Sequence, residues 1–96
     1  MKKDMFETVC RIVSESCEVD RVAMLCCRTQ ICVEARSMLV RSLLDVGFKE
    51  GDVATYSGLT RQCVNKLKNT FDLRMRDWGF RQMWKDVSNK MSTMLQ

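Results

Sequence analysis

Residues 52–69 read DVATYSGLTRQCVNKLKN, and this stretch decides the fold. Two helical patterns meet in it at a glycine. Val53 and Ala54 are apolar on the first, while Val64 and Leu67 recur at helical spacing on the second. Gly58 can take the positive φ that ends a helix without strain, and Leu59 follows it. Thr60 suits the cap of the next helix, where its hydroxyl can accept a backbone N–H that has no partner in the helix. Ala54 is small, as a close crossing of two helices requires. Together these features predict a helix-turn-helix whose second helix could enter a DNA groove.

A plain helical hairpin with a solvated face would have the same corner, so the outward residues are what distinguish the two. They are Arg61, Gln62, Asn65, Lys66 and Asn69, a set rich in groups that hydrogen-bond base edges and phosphates. Arg61 and Gln62, at the start of the second helix, are the candidates for reading bases. Asn65 and Lys66 would reach bases or phosphate, and Thr60 and Lys68 would position the DNA backbone.

Upstream, residues 4–18 carry Phe6, Val9, Cys10, Val13 and Cys17 in one stripe with a period near 3.6, which predicts an amphipathic helix. Asp20 can cap a short second helix through Val22, Met24 and Leu25, followed by a polar loop at residues 26–30 (CCRTQ). Residues 32–46 predict a third helix, expected at the centre of the fold. Val33, Ala35, Met38, Leu39, Leu43 and Leu44 form its broad apolar face, and Gly47 ends it. Phe48 is expected to pack across the corner as residues 49–51 turn into the helix-turn-helix.

Downstream of Asn69 the chain continues through Phe71 and Leu73 to a last helix, in which Phe80, Met83, Trp84, Val87, Met91 and Met94 form a continuous stripe. Asp72 and Asp77 are its candidate caps, and Gly79 is a candidate break near its start. The expectation is an all-α, compact bundle of about six helices in a single domain over residues 1–96. Residues 4–71 form the helix-turn-helix core and residues 72–96 add an amphipathic helix.

Composition agrees with this class. Proline is absent and there are four glycines in 96 residues, a poor supply of turn residues for an all-β fold. The net charge of +4 hides a gradient. Residues 1–20 hold three basic and five acidic groups, residues 21–60 five and four, and residues 61–96 eight and three. The basic surplus begins at the proposed recognition helix, where a polyanion-binding surface would need it to displace counterions from phosphates.

Six cysteines occur without a C-x-x-C pair and without any histidine, which favours free thiols in a reducing cytoplasm over a disulfide scaffold. Cys26, Cys27 and Cys32 are the only ones close enough in sequence for a soft metal, and they lack a fourth ligand, so no metal or cofactor is expected. The charged start and the short apolar runs predict neither a secretory signal nor a membrane span, and hence a cytoplasmic location.

From Phe6 to Phe71, the order of helix, short helix, basic loop, central helix and helix-turn-helix resembles the C-terminal DNA-binding domain of the bacterial replication initiator DnaA. The resemblance covers about two-thirds of the chain. It rests on Val22 to Leu25 (VAML), on the CCRTQ loop, and on the run Val33-Glu34-Ala35-Arg36-Ser37-Met38, which is similar to that family's V-x-A-R-Q-x-A-M. The family's recognition-helix signature, Gly-Gly-Arg-Asp-His-Thr-Thr-Val, falls on residues 57–64 (SGLTRQCV), where Gly58 and Val64 agree. The resemblance implies a Trp-repressor-like helix-turn-helix and a minor-groove contact from Arg28. No G-x-x-x-x-G-K-[ST] phosphate loop occurs.

Two functions from different classes follow. One is a sequence-specific double-stranded DNA-binding protein, acting as a regulator or an accessory replication factor and read through Arg28, Thr60, Arg61, Gln62, Asn65, Lys66, Lys68 and Asn69. The other is a protein-interaction module without a DNA role, which would present the Trp- and Met-rich C-terminal helix to a partner; against it stands the expectation that this helix folds back over the other helices or forms a homodimer. An enzyme is not expected, since no histidine and no paired carboxylates stand out as acid and base.

Overall fold

Helix α3, Gln30–Asp45, organises the rest of the molecule. Cys32, Ala35, Met38, Leu39, Val40 and Leu43 place apolar groups around more than one side of its cylinder, so no single neighbour can bury them all. The computed structural model describes residues 2–95; Met1 and Gln96, counted in the expected domain, lie outside the described residues. In it α3 packs against all five other helices: α1 (Lys2–Cys17), α2 (Arg21–Cys26), α4 (Glu50–Ser57), α5 (Arg61–Arg74) and α6 (Trp78–Leu95). The protein is thus an all-α globule of six helices, with no strand among the described residues. No described helix is long and apolar enough to cross a membrane.

Local chemistry sets most of the helix ends. Asp20 caps α2, its carboxylate accepting from the N–H groups of Val22 at 3.1 Å and Ala23 at 3.4 Å. Of the two candidate caps for α6, Asp77 is the one used, accepting from Phe80 N–H at 2.9 Å. Gly79 lies inside the first turn of α6 and does not break it. Helix α3 ends in a Schellman closure: Phe48 N–H donates to Leu43 C=O, Gly47 N–H donates to Leu44 C=O, and Gly47 takes φ +107°. Helix α1 closes the same way, with Val19 N–H donating to Ser14 C=O, but the left-handed residue there is Glu18 at φ +55°.

Several boundaries differ from the sequence expectation. Helix α1 stops at Cys17 because Glu18 turns left-handed, and α3 starts at Gln30 because Thr29, with extended φ and ψ, is its N-cap. Helix α4 starts at Glu50, where Asp52 accepts from Lys49 N–H at 3.4 Å, so residues 50 and 51 are helical instead of turn. Helix α5 runs past Asn69 to Arg74, carrying the Val64, Leu67 spacing on to Phe71.

The expected stripes are buried. Phe6, Val9, Cys10, Val13 and Cys17 are the buried residues of α1. In α2 Met24 is enclosed, whereas Val22 is 68% exposed because that side of the short helix has no neighbour. Phe80, Val87 and Met91 of α6 are buried, with Met83, Trp84 and Met94 half-buried against the same core. Phe71 of α5 is the link, packing edge-on to Phe80 at 5.5 Å and Trp84 at 4.9 Å between ring centres, with the Arg41 guanidinium over its face at 5.2 Å.

Two stability outcomes follow. Phe80 is fully enclosed, so Phe80→Ala is expected to destabilise the protein by about 3–5 kcal/mol in urea unfolding, through lost transfer free energy and the cavity left behind. A loss below about 1 kcal/mol would show that α6 is not part of the core. Glu18→Gly relieves a left-handed backbone and is expected to stabilise by up to about 1 kcal/mol, the relief exceeding the added chain entropy. A fall in stability would contradict the strain.

Candidate nucleic-acid interface

Helices α4 and α5 meet through a three-residue connection, Gly58, Leu59 and Thr60. Gly58 caps α4 at φ +79° and its N–H donates to Ala54 C=O at 3.0 Å. Leu59 is half-buried against the core, and its N–H donates to the Ser57 hydroxyl at 3.2 Å. Thr60 then caps α5, its hydroxyl accepting from Cys63 N–H at 3.1 Å. The inner side of α5 is fixed by Val64, Leu67 and Phe71, so its outer side is presented from a rigid support.

That outer side holds Arg61, Gln62, Asn65, Lys66, Lys68 and Asn69, all exposed, and Thr60 is exposed at its start. Arg61, Gln62 and Lys66 engage no other side chain by hydrogen bond or ion pair among the described residues, and are free to meet a ligand. Asn65 and Asn69, one turn apart, bond to each other, Asn69 Nδ2 donating to Asn65 Oδ1 at 3.2 Å. Lys68 reaches across to α4, where its Nζ lies 3.9 Å from the Glu50 carboxylate. At that distance, and this exposed, the pair is weak and open to competition.

Glu50 is the residue of this face that the sequence pattern does not single out. It lines a shallow cleft with Arg61, Gln62 and Asn65, setting a carboxylate beside the candidate base-reading groups. Only the packing of the start of α4 onto α5 brings it there, and residue spacing does not reveal that.

Arg28 stands apart from this face, in the loop of residues 27–29 between α2 and α3. Its side chain is exposed and engages no α5 residue by hydrogen bond or ion pair. Its loop is nevertheless held firmly. Arg36 of α3, only 9% exposed, donates from Nε to Met24 C=O at 2.9 Å and from Nη2 to Cys27 C=O at 2.5 Å. These carbonyls belong to the C-terminal end of α2, where the peptide dipoles leave partial negative charge, and so they can hold a cation without a carboxylate.

The C-terminal helix, the surface of the alternative function, faces inward with most of its stripe. Phe80, Val87 and Met91 are inside the fold, so a partner or a second copy would meet the opposite side. There Trp78, 68% exposed, lines a groove with Met75, Trp84, Arg81 and Lys85. Among the described residues no group of three Cys, Asp or Glu side chains could hold a metal ion.

Comparison of the chain with protein-family models, with curated proteins and with solved structures gave no match. A function for the α4–α5 face therefore has to come from its own side chains.

Proposed function

We propose that the protein binds double-stranded DNA sequence-specifically, with α4 and α5 acting as a helix-turn-helix and α5 as the recognition helix. The observation that carries this is the exposed, unpaired set Arg61, Gln62 and Lys66 on a helix anchored through its other side. Arg61 and Gln62 lie in the first turn of α5, the end that enters the major groove first in such proteins. An arginine there can bond guanine O6 and N7 together, and a glutamine can bond adenine N6 and N7. Lys66 contacts phosphate, and Asn65 and Asn69 can exchange their mutual bond for base or backbone partners. Thr60 and Lys68 position the DNA backbone, and Arg28 approaches the adjacent minor groove.

The resemblance of residues 4–71 to the DnaA C-terminal domain supports a role as a regulator or accessory replication factor, at a site other than that family's own, because the residues at the base-reading positions differ. Glu50 tunes the interaction. Its carboxylate repels a nearby phosphate, and Lys68 offsets part of that repulsion until DNA competes for the lysine.

Three outcomes test this. Affinity for duplex DNA, measured by fluorescence anisotropy, should fall with salt at a slope of about −0.9 per phosphate contact, and no binding at low salt would remove the proposal. On the site selected from a random duplex pool, Arg61→Ala and Gln62→Ala should each lose about 1–3 kcal/mol and lose little on random DNA. Equal losses on both would make them phosphate contacts. Glu50→Gln should strengthen binding at low salt and steepen the salt slope, since it removes a negative charge and frees Lys68. A weaker complex would place Glu50 among the base-reading groups instead.

A further inference from the structure

The groove beside Trp78 gathers three features that each work against the isolated fold. Trp78 itself is 68% exposed, although an indole is among the side chains that gain most from burial. Arg81 stands in the first turn of α6, where the free N–H groups leave partial positive charge and an acidic residue would be favourable. That turn has none, and Asp77 just ahead of it caps Phe80 N–H and forms no ion pair with Arg81. Lys85 follows Arg81 one turn later, so two like charges repel along one side of the helix. Neither has a carboxylate partner among the described residues, whereas Lys90 of the same helix is held by Asp86 at 3.3 Å.

The three features meet in one place. The groove has a volume of about 460 Å³, and Met75 and Trp84 in its wall are packed against the core, which holds that wall rigid. Trp78, Arg81 and Lys85 line it as well, and among the described residues no carboxylate does. Apolar surface and unneutralised positive charge thus lie side by side, and a partner satisfies both only if it brings an apolar group together with negative charge. A nucleic-acid strand needs cations along its whole path, and here there are two, one turn apart. An acidic peptide needs no more than these. Carboxylates one turn apart on a helical peptide match the spacing of Arg81 and Lys85, and a bulky apolar side chain between them can lie on Trp78. The groove also lies at the far end of α5 from Arg61 and Gln62, since α5 has 14 residues, roughly 21 Å of helix, and Met75 is its C-cap. A partner there leaves the candidate DNA face free.

We propose that the groove formed by Met75, Trp78, Arg81, Trp84 and Lys85 is a docking site for an acidic peptide segment of another protein. An aromatic or long aliphatic side chain of that segment packs on Trp78 and Trp84, and two of its carboxylates pair with Arg81 and Lys85. The indoles supply most of the affinity, while the paired charges select an acidic partner over a neutral one. This site does not depend on DNA binding by α5 and stands if that reading fails.

The test selects binders of the full chain from a library of random peptides. Enriched sequences should hold several Asp or Glu around an aromatic or aliphatic residue; enrichment of neutral or basic sequences, or of none, would overturn the proposal. The tightest binder, labelled with fluorescein, is then followed by anisotropy. Its affinity should fall about tenfold or more in Trp78→Ala, and likewise in Arg81→Ala combined with Lys85→Ala, all at exposed positions whose change leaves the core intact. Arg11→Ala, at an exposed position on α1 outside the groove, should bind as the unmodified chain does, and an equal loss there would reduce the contact to general charge attraction and overturn the site. The same peptide with Lys in place of its acidic residues should prefer the Arg81→Glu, Lys85→Glu chain to the unmodified one; the opposite preference would remove the charge pairing on which the proposal rests. A groove that takes a single-stranded oligonucleotide more tightly than any acidic peptide, or a mass that doubles with concentration except in Trp78→Ala, would assign another occupant and overturn it.

Discussion

The enclosure of α3 is the constraint on which the rest of the structure depends. A helix in contact with every other helix has little surface left for water, so its polar groups are driven to find partners inside the protein, as Ser37 and Arg36 do and the enclosed Ser42 hydroxyl does not. Ser37 does so within the helix, donating to Val33 C=O at 3.1 Å. Arg36 does so outside it, and in reaching the end of α2 it fixes the loop that carries Arg28. On another side α3 meets α5, which is further anchored by the packing of Phe71 on Phe80 and Trp84 of α6. Both parts of the proposed DNA surface are therefore set by one buried element, even though they share no direct bond.

The electrostatics of that surface are mixed. Basic groups dominate after Thr60, yet Glu50 lies beside the candidate base readers and draws Lys68 toward it. A carboxylate in this position weakens non-specific attraction to phosphate more than it weakens a well-formed base contact, because the non-specific term is almost wholly charge. In the proposed DNA complex this arrangement would favour discrimination over raw affinity. Under that proposal, the acid on α4 and the basic groups on α5 would work against each other until the selected site supplied the hydrogen bonds that Arg61 and Gln62 lack.

The parts of the fold that were legible in the sequence are those decided within a few residues. Asp20, Gly58, Thr60 and Asp77 act as caps because the groups they satisfy are their near neighbours, and the stripes of α1 and α6 follow from helical period alone. What could not be read depends on what packs against what. Arg36, Ser37 and Ser42 are polar residues inside the core because α3 is covered on several sides, whereas a single amphipathic face would have left them in water. Glu18 in a left-handed turn, the contact of Glu50 with Lys68, and the Thr29 hydroxyl turned toward Cys27 likewise arise only when distant segments, or a loop with two ways to bond, have settled. Of the candidate site, the α5 residues were visible from their spacing, and their acidic neighbour was not.

The central claim is that α5, held from behind by the core, is the surface that meets duplex DNA. Backbone amide shifts of the isotope-labelled protein, followed by NMR as a duplex carrying the selected site is added, test it most directly. The account predicts perturbations concentrated at Thr60, Arg61, Gln62, Asn65, Lys66 and Asn69, with a second, smaller group around Arg28, while the buried residues of α1 stay fixed. Perturbations confined to the Trp78, Arg81 and Lys85 side of α6 would contradict it, as would a spectrum that does not change.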